Sequence, residues 1–113
     1  MTDIWTYRPD IERGAADVTG YDVEATDGHI GKVDEATWEA GASYVVVDTG
    51  FWIFGKRRMI PAASIQQVDP ETSTVWLSLT KDQVKEAPDY DEARATEREY
   101  RDELTTYYGQ WPY

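Results

Sequence analysis

Residues 21–34 read YDVEATDGHIGKVD, and this stretch decides the fold. From Tyr21 to Ala25 every second residue is apolar and the others are charged, which is the period-two pattern of a strand with one buried face. The strand is followed by Asp27-Gly28, a dipeptide typical of a two-residue type I′ hairpin turn. The sequence therefore predicts that the chain returns antiparallel from Ile30 onward.

The returning strand contains one irregularity. Ile30 and Val33 have opposite parity along the chain, although both have the apolar character of core residues. A regular strand would send one of the two to solvent. Gly31 lies between them, and glycine is common at β-bulges, so we expect a bulge there that turns both side chains inward.

Further short strands follow at turn-delimited intervals. The β-branched run from Ser43 to Thr49 predicts a central strand covered on both faces. Apolar segments around Met59–Pro61, in 65–68 and in 75–79 predict the remaining strands, the last with Trp76 on the parity opposite to its core residues. The predicted core residues are Val23, Ile30, Val33, Val45, Val47, Ile60, Val75 and Leu77. Five or six short strands with no helix among them indicate a mainly β protein built on a small antiparallel β-barrel.

The last third of the chain is predicted to be helical. Thr80 and Gln83 have the spacing of a capping box, and Pro88 ends the short helix that begins there. A second, mostly solvated helix is expected from Glu92 to about residue 106, ended by Gly109. We therefore divide the chain into an N-terminal arm (1–17), a barrel domain (18–88) and a C-terminal helix with an aromatic tail (89–113).

Composition excludes several classes of function. The 113 residues include 22 acidic and 11 basic side chains, a single histidine and no cysteine, for a net charge of −11. Thiol catalysis and thiolate metal sites are thereby excluded. The acidic charge disfavours nucleic acid, because a phosphate backbone binds to surfaces rich in lysine and arginine. Apolar runs are far shorter than the roughly 20 residues of a membrane-spanning helix, so we expect a cytoplasmic protein that does not bind membranes.

The segment 18–88 resembles a PRC-barrel domain. The resemblance rests on Asp27-Gly28 followed by Ile-Gly-Lys-Val and an acidic residue (30–34), on the apolar strand from Tyr44 to Asp48, and on the Ile-Pro strand at 60–61. The layout as a whole resembles stand-alone bacterial single-domain members of that family. What the resemblance implies is a small barrel that serves as a docking module and has no catalytic residues of its own.

The residue pattern also predicts neither an enzyme nor a bound cofactor or metal. His29 follows the predicted turn, and no serine or cysteine motif accompanies it, so an exposed turn residue is a better interpretation than a general base or a ligand. Acidic clusters such as 34–35 and 89–92 lack the spacing of an EF-hand loop and indicate a solvated surface. The glycines form no phosphate-binding loop and are expected at turns and bulges.

Residues 50–58 are the candidate interaction segment. Phe51, Trp52 and Phe54 cannot all point inward, since alternation along a strand sends part of them outward. Lys56, Arg57 and Arg58 follow as a basic group. Several interpretations stay open: a segment covered by the arm or the aromatic tail, a plain buried strand, a partner surface with aromatic anchors and a charged rim, or a platform for stacking single-stranded RNA.

The aromatic tail carries the rest of the predicted surface. We expect one or more of Tyr107, Tyr108 and Trp111 to contact the aromatic segment, either within one chain or between subunits. The sequence thus predicts a non-enzymatic module that docks on another protein and associates with itself, as a homodimer. The alternative is a barrel that binds a small molecule or RNA in an assembly or maturation pathway.

Overall fold

A computed structural model describes residues 4–5, 18–37, 43–49, 57–88, 90–94 and 97–110. Within these ranges the chain forms six strands and two α-helices, with a 3₁₀ turn at Ala62–Ser64 and another at Glu92–Arg94. The strands are β1 (Asp22–Ala25), β2 (Gly28–Ala36), β3 (Tyr44–Asp48), β4 (Arg57–Pro61), β5 (Ile65–Asp69) and β6 (Thr74–Leu77), and the helices are α1 (Lys81–Lys85) and α2 (Arg98–Tyr108). The mainly β class with two following helices is as predicted.

The strands form a single mixed sheet in the order β4-β3-β2-β1-β6-β5. Neighbours are antiparallel except β1 and β6, which pair in parallel. The prediction of a closed, wholly antiparallel barrel is therefore wrong on both points. The sheet is not closed, because β4 and β5 are its edges, and it is not wholly antiparallel, because β1 and β6 are parallel. The cause lies at Ala62–Ser64: the 3₁₀ turn passes from β4 into β5 without reversing the strand direction, so β6 arrives with one reversal fewer than an antiparallel barrel needs.

The open sheet is nevertheless strongly curled. Six strands laid flat would separate the two edges by about 24 Å, at roughly 4.8 Å per strand. The chain passes from Pro61 at one edge to Ile65 at the other in four residue steps, a reach of at most about 15 Å. The edges must therefore curve towards each other around the core, which gives the sheet an inner and an outer face.

The inner face carries the core. All eight predicted core residues are buried, and Val46 is buried as well, so β3 is covered on both sides as its β-branched run predicts. Helix α2 closes one side with Tyr100, Leu104 and Tyr108, which repeat every four residues and form a single apolar stripe.

The β1–β2 hairpin forms where it is predicted, but its turn differs. Ala25 pairs with Gly28, so the two turn residues are Thr26 and Asp27 and not Asp27 and Gly28. Among the described residues other than glycine only Ser73 has a positive φ, which excludes a type I′ turn with Asp27 at its centre.

The predicted bulge is present beside Gly31. The register changes so that Val23 faces Gly31 while the next residue of β1 faces His29, which leaves Ile30 as the extra residue. Ile30 and Val33 both reach the core as a result. A Cβ at Gly31 would overlap the backbone carbonyl oxygen of Asp48, so this crossing of β2 and β3 requires glycine.

Helix α1 begins at the predicted capping box. The Thr80 hydroxyl accepts a bond from the Gln83 backbone N–H, and the Gln83 side chain accepts one from the Thr80 N–H. The hairpin tip fixes the same end, because an Asp27 carboxylate oxygen accepts a bond of 2.8 Å from the Lys81 backbone N–H. The start of the helix is therefore attached to the β1–β2 turn.

Helix α2 starts later than the sequence predicts. The residues 92–94 form a 3₁₀ turn, in which the Asp91 side chain accepts a bond from the Ala93 N–H, and the α-helix itself runs from Arg98 to Tyr108 with Gly109 after it. The expectation of a mostly solvated helix is incomplete, since one stripe of α2 is fully buried. Neither described helix is long and apolar enough to cross a membrane.

Candidate functional site

The structure describes four of the nine residues predicted to form an interaction surface. Arg57 and Arg58 are the first two residues of β4, and Tyr107 and Tyr108 are the last two residues of α2. The other five, Phe51, Trp52, Phe54, Lys56 and Trp111, lie outside the described residues. Their expected contact with the tyrosines stays a prediction from the sequence.

Arg58 is buried inside its own chain. It lies opposite Val47 in the β3–β4 ladder and is only 3% exposed. Its Nε donates to the carbonyl of Val84 at 3.1 Å and its Nη2 to that of Lys85 at 3.0 Å, while Nη1 donates to the carbonyl of Arg57 at 3.0 Å. The last carbonyls of a helix have no partner within the helix. Arg58 therefore satisfies the C-terminal end of α1 and joins it to β4.

Arg57 has the opposite environment. Its guanidinium donates to a carboxylate oxygen of Asp34 at 3.0 Å, and both side chains are more than 40% exposed. A surface ion pair of this kind contributes little stability. Of the basic group in 56–58, Arg57 is thus the described residue whose charge is available on the surface.

Tyr107 and Tyr108 pack edge to face, with ring centroids 5.1 Å apart. The Tyr107 hydroxyl donates to the carbonyl of Gln83 in α1, whereas the Tyr108 hydroxyl is buried without a hydrogen-bond partner. Burial raises the pKa of both phenols, and the nearby Arg58 acts in the opposite direction on each. The structure thus brings Arg58, Tyr107 and Tyr108 together at the end of α1. We call these three residues and the end of α1 the α1 junction.

A second aromatic cluster holds the N-terminal residues Ile4 and Trp5. The Trp5 indole N–H donates to the Thr105 hydroxyl at 2.8 Å, and the Trp5 ring meets Tyr44 edge to face. The Arg101 guanidinium lies 4.0 Å above the Trp5 ring. This described part of the N-terminal arm therefore packs against α2 and β3.

His29 and the carboxylates form no metal-binding cluster among the described residues. The His29 Nδ1 lies 2.5 Å from a Glu24 carboxylate oxygen, and the histidine side chain is 55% exposed at the start of β2. No group of three or more histidine, cysteine or acidic side chains comes together as metal ligands in the described part of the chain. His29 is thus an exposed strand residue with one acidic neighbour.

The outer face of the sheet exposes a large aromatic side chain that the sequence prediction did not select. Trp76 is 41% exposed and is the only large hydrophobic residue of the described ranges with this property. Its strand neighbours Val75 and Leu77 are buried. The alternation in β6 already placed Trp76 outward, so the available signal was a tryptophan at a solvent-facing position.

Four adjacent strands contribute one residue each to a row that contains Trp76. Glu24 is its partner in the parallel β1–β6 ladder, Gln67 is its partner in the β5–β6 ladder, and His29 is the partner of Glu24. Directly opposed residues project from the same face of a sheet. We call this set, His29, Glu24, Trp76 and Gln67, the Trp76 row.

A second row of residues lies next to the Trp76 row on the same face of the sheet, and it is acidic. Asp22 pairs with Lys32 on one side and with Thr74 on the other, and Thr74 pairs with Asp69. The Lys32 ammonium lies 3.2 Å from an Asp22 carboxylate oxygen, at the surface. We call this set, Lys32, Asp22, Thr74 and Asp69, the Asp22 row.

Comparisons with known proteins add no relative. A scan against protein-family models finds no match to this chain, and a search of curated proteins finds none either.

Proposed function

We propose that this chain is a non-enzymatic docking module, located in the cytoplasm, that binds another protein through the outer face of its sheet. The observation that supports the proposal is Trp76, a large aromatic side chain 41% exposed at the centre of a four-strand row. Tryptophan is enriched among the residues that contribute most to protein interfaces. The resemblance of the sequence to the PRC-barrel family supports the same function, because it implies a docking module without catalytic residues.

A second copy of the chain is the alternative occupant, as the predicted homodimer requires. The Trp76 row and the Asp22 row together carry three carboxylates against one ammonium group. Two such faces brought together would repel each other. We therefore assign this face to a different protein, and any self-association to another surface, for which the segment 51–56 is the candidate from the sequence.

The test compares the wild type with Trp76→Ala and with Thr106→Ala, a change at an exposed position of α2. Each protein is immobilised and exposed to lysate of the host cell, and the retained proteins are quantified by mass spectrometry. We expect at least one protein to be retained by the wild type and Thr106→Ala and lost with Trp76→Ala. Identical retained proteins for all three would contradict a docking role of this face.

Self-association is measured on the same three proteins by size-exclusion chromatography with light scattering. We expect their masses to agree, because the proposal assigns self-association to a different surface. A dimeric wild type together with a monomeric Trp76→Ala variant would show that a second copy of the chain covers this face.

A further inference from the structure

The Trp76 ring is partly exposed and has acidic residues as neighbours on the same face of the sheet. Its ladder partners are Glu24 on β1 and Gln67 on β5, and Asp22 and Asp69 lie in the next row of the same face. Neighbouring positions on one face of a sheet are within reach of long side chains. The indole is therefore bordered by carboxylate and amide oxygens, which accept hydrogen bonds.

The charged side chains on this face determine which sign of charge a ligand must carry. Within the two rows, Lys32 and His29 are the residues that could offset the three carboxylates, and both are already adjacent to one of them: Lys32 to Asp22, and His29 to Glu24. The chain as a whole is acidic, with a net charge of −11. An anionic ligand such as a phosphate backbone is repelled here, whereas a cationic segment is attracted.

Tryptophan is the aromatic side chain that binds cations best on its ring face. The chain already contains one such pair, since Arg101 lies 4.0 Å above the ring of Trp5. Among the described residues no arginine or lysine covers the ring of Trp76 in this way. The exposed indole thus has the chemistry of the Trp5 pair, and the described part of the chain supplies no cation for it.

We infer that the partner of this face presents an arginine-bearing extended segment, whose guanidinium stacks on Trp76 and bonds to the neighbouring carboxylates. This inference rests on the proposed docking function and specifies the chemistry of the partner. Arginine fits better than lysine, because its planar guanidinium stacks on an aromatic ring and donates several hydrogen bonds in its own plane. An extended segment fits because the acceptors lie on β1 and β5, on both sides of the strand that carries Trp76.

The test is calorimetric titration with an octapeptide of alternating threonine and arginine. The control peptide has citrulline in place of arginine, which keeps the shape of the side chain and removes its charge. We expect the arginine peptide to bind the wild type at least about tenfold more tightly than the citrulline peptide, and binding to weaken as salt is raised from 50 to 500 mM. Trp76→Ala should weaken binding of the arginine peptide about tenfold, and Trp76→Phe should weaken it less.

A matched pair of charge variants separates local from general electrostatics. Glu24→Gln and Glu99→Gln remove the same charge, the first beside Trp76 and the second at an exposed position of α2. We expect Glu24→Gln to weaken binding several-fold and Glu99→Gln to leave it nearly unchanged. Equal effects would show that the peptide responds only to the net charge, and would overturn the inference. Thermal unfolding of each variant confirms that it is folded before titration.

Other outcomes separate this inference from the docking function itself. Equal binding of the arginine and citrulline peptides would overturn the cationic partner and leave an uncharged docking surface. Absence of peptide binding, combined with Trp76-dependent retention of a protein from lysate, would likewise overturn only the chemistry inferred here. Absence of both would overturn the inference and the proposed function together.

Discussion

The α1 junction and the outer face of the sheet each contain a residue in an unusual environment: a charged side chain is buried in the first, and a large aromatic side chain is exposed in the second. Arg58 is 3% exposed in the first region, and Trp76 is 41% exposed in the second. Charged side chains are rarely buried without partners, and tryptophan is highly buried on average. Arg58 has three carbonyl partners within its own chain, whereas the described residues cover Trp76 only in part. The buried charge is therefore explained by the fold, and the exposed ring is the feature that points outside it.

Removing Arg58 should have the largest effect on stability. Arg58→Ala removes the guanidinium donor of the Lys85 carbonyl and one of the two donors of the Val84 carbonyl, which also accepts from the Ala87 N–H, and it leaves a gap where the buried side chain was. We expect a loss of about 3 kcal/mol in the free energy of unfolding, measured by urea denaturation. This is a large share of the roughly 5–15 kcal/mol that stabilises a small domain.

Arg57→Ala is the matched control for that experiment. Arg57 is adjacent in sequence but is exposed and paired at the surface with Asp34, so its removal should cost less than about 1 kcal/mol. Arg58→Lys should lie between the two, because one ammonium cannot reproduce the planar fork that reaches two carbonyls. Equal losses of unfolding free energy for Arg57→Ala and Arg58→Ala would show that the hydrogen bonds of the Arg58 guanidinium do not stabilise the fold.

The α1 junction should also make the fold sensitive to alkaline pH. Burial raises the pKa of Tyr108 above its ordinary value near 10, so the neutral phenol is the form compatible with the folded state. Above about pH 10 the unfolded chain releases this proton and the folded chain does not, and stability falls as the pH rises. We expect Tyr108 to account for a loss of about 1 kcal/mol between pH 10 and 11.

The measurement is the difference between the wild type and Tyr108→Phe in urea denaturation at both pH values. Phenylalanine has no proton to release, so the variant should lose less stability over this interval. Repeating the comparison at pH 8 and 9, where tyrosine is neutral in both states, provides the control. Parallel pH profiles for the two proteins would contradict the burial of the Tyr108 hydroxyl.

Tyr107 and Tyr108 should respond in opposite directions to the loss of a hydroxyl. Tyr108→Phe removes a buried hydroxyl that has no partner and should leave stability at pH 7 unchanged or raise it by up to about 1 kcal/mol. Tyr107→Phe removes the donor to the Gln83 carbonyl and should lower stability by about 1 kcal/mol. Each variant is the control for the other, since the change is chemically identical. The same sign for both would show that the end of α2 does not pack on α1 as described.

Local patterns predicted most of the fold. The strand alternation, the bulge at Gly31 and the capping box at Thr80 depend on residues close together in the sequence, and the structure contains all three. The parallel pairing of β1 with β6 was missed because strand direction depends on the total number of chain reversals. The missing reversal at the 3₁₀ turn after Pro61 has no counterpart in the strand pattern.

The two unusual residues were missed for a different reason. Lys56, Arg57 and Arg58 form a basic run, which suggests solvent, yet strand alternation points Arg58 inward to carbonyls that only the folded chain brings near. Trp76 was placed on the correct parity, opposite to the core residues of its strand, but was not selected as part of an interaction surface. The alternation in the sequence predicts on which face of the sheet a side chain lies, but it does not predict whether another element covers that face.

The smallest effect on stability should come from the replacement of Trp76. Trp76→Thr places a residue with high β propensity on an outer strand face and removes a ring that is already 41% exposed, so we expect a loss of at most about 1 kcal/mol in urea denaturation. Leu77→Ala, one residue along β6 and buried, is the control and should cost about 2–5 kcal/mol. A loss of several kcal/mol for Trp76→Thr would mean that the ring is held by its own chain. A negligible loss, together with lost binding of the partner, would show that the fold does not need this tryptophan and that its contribution is to recognition.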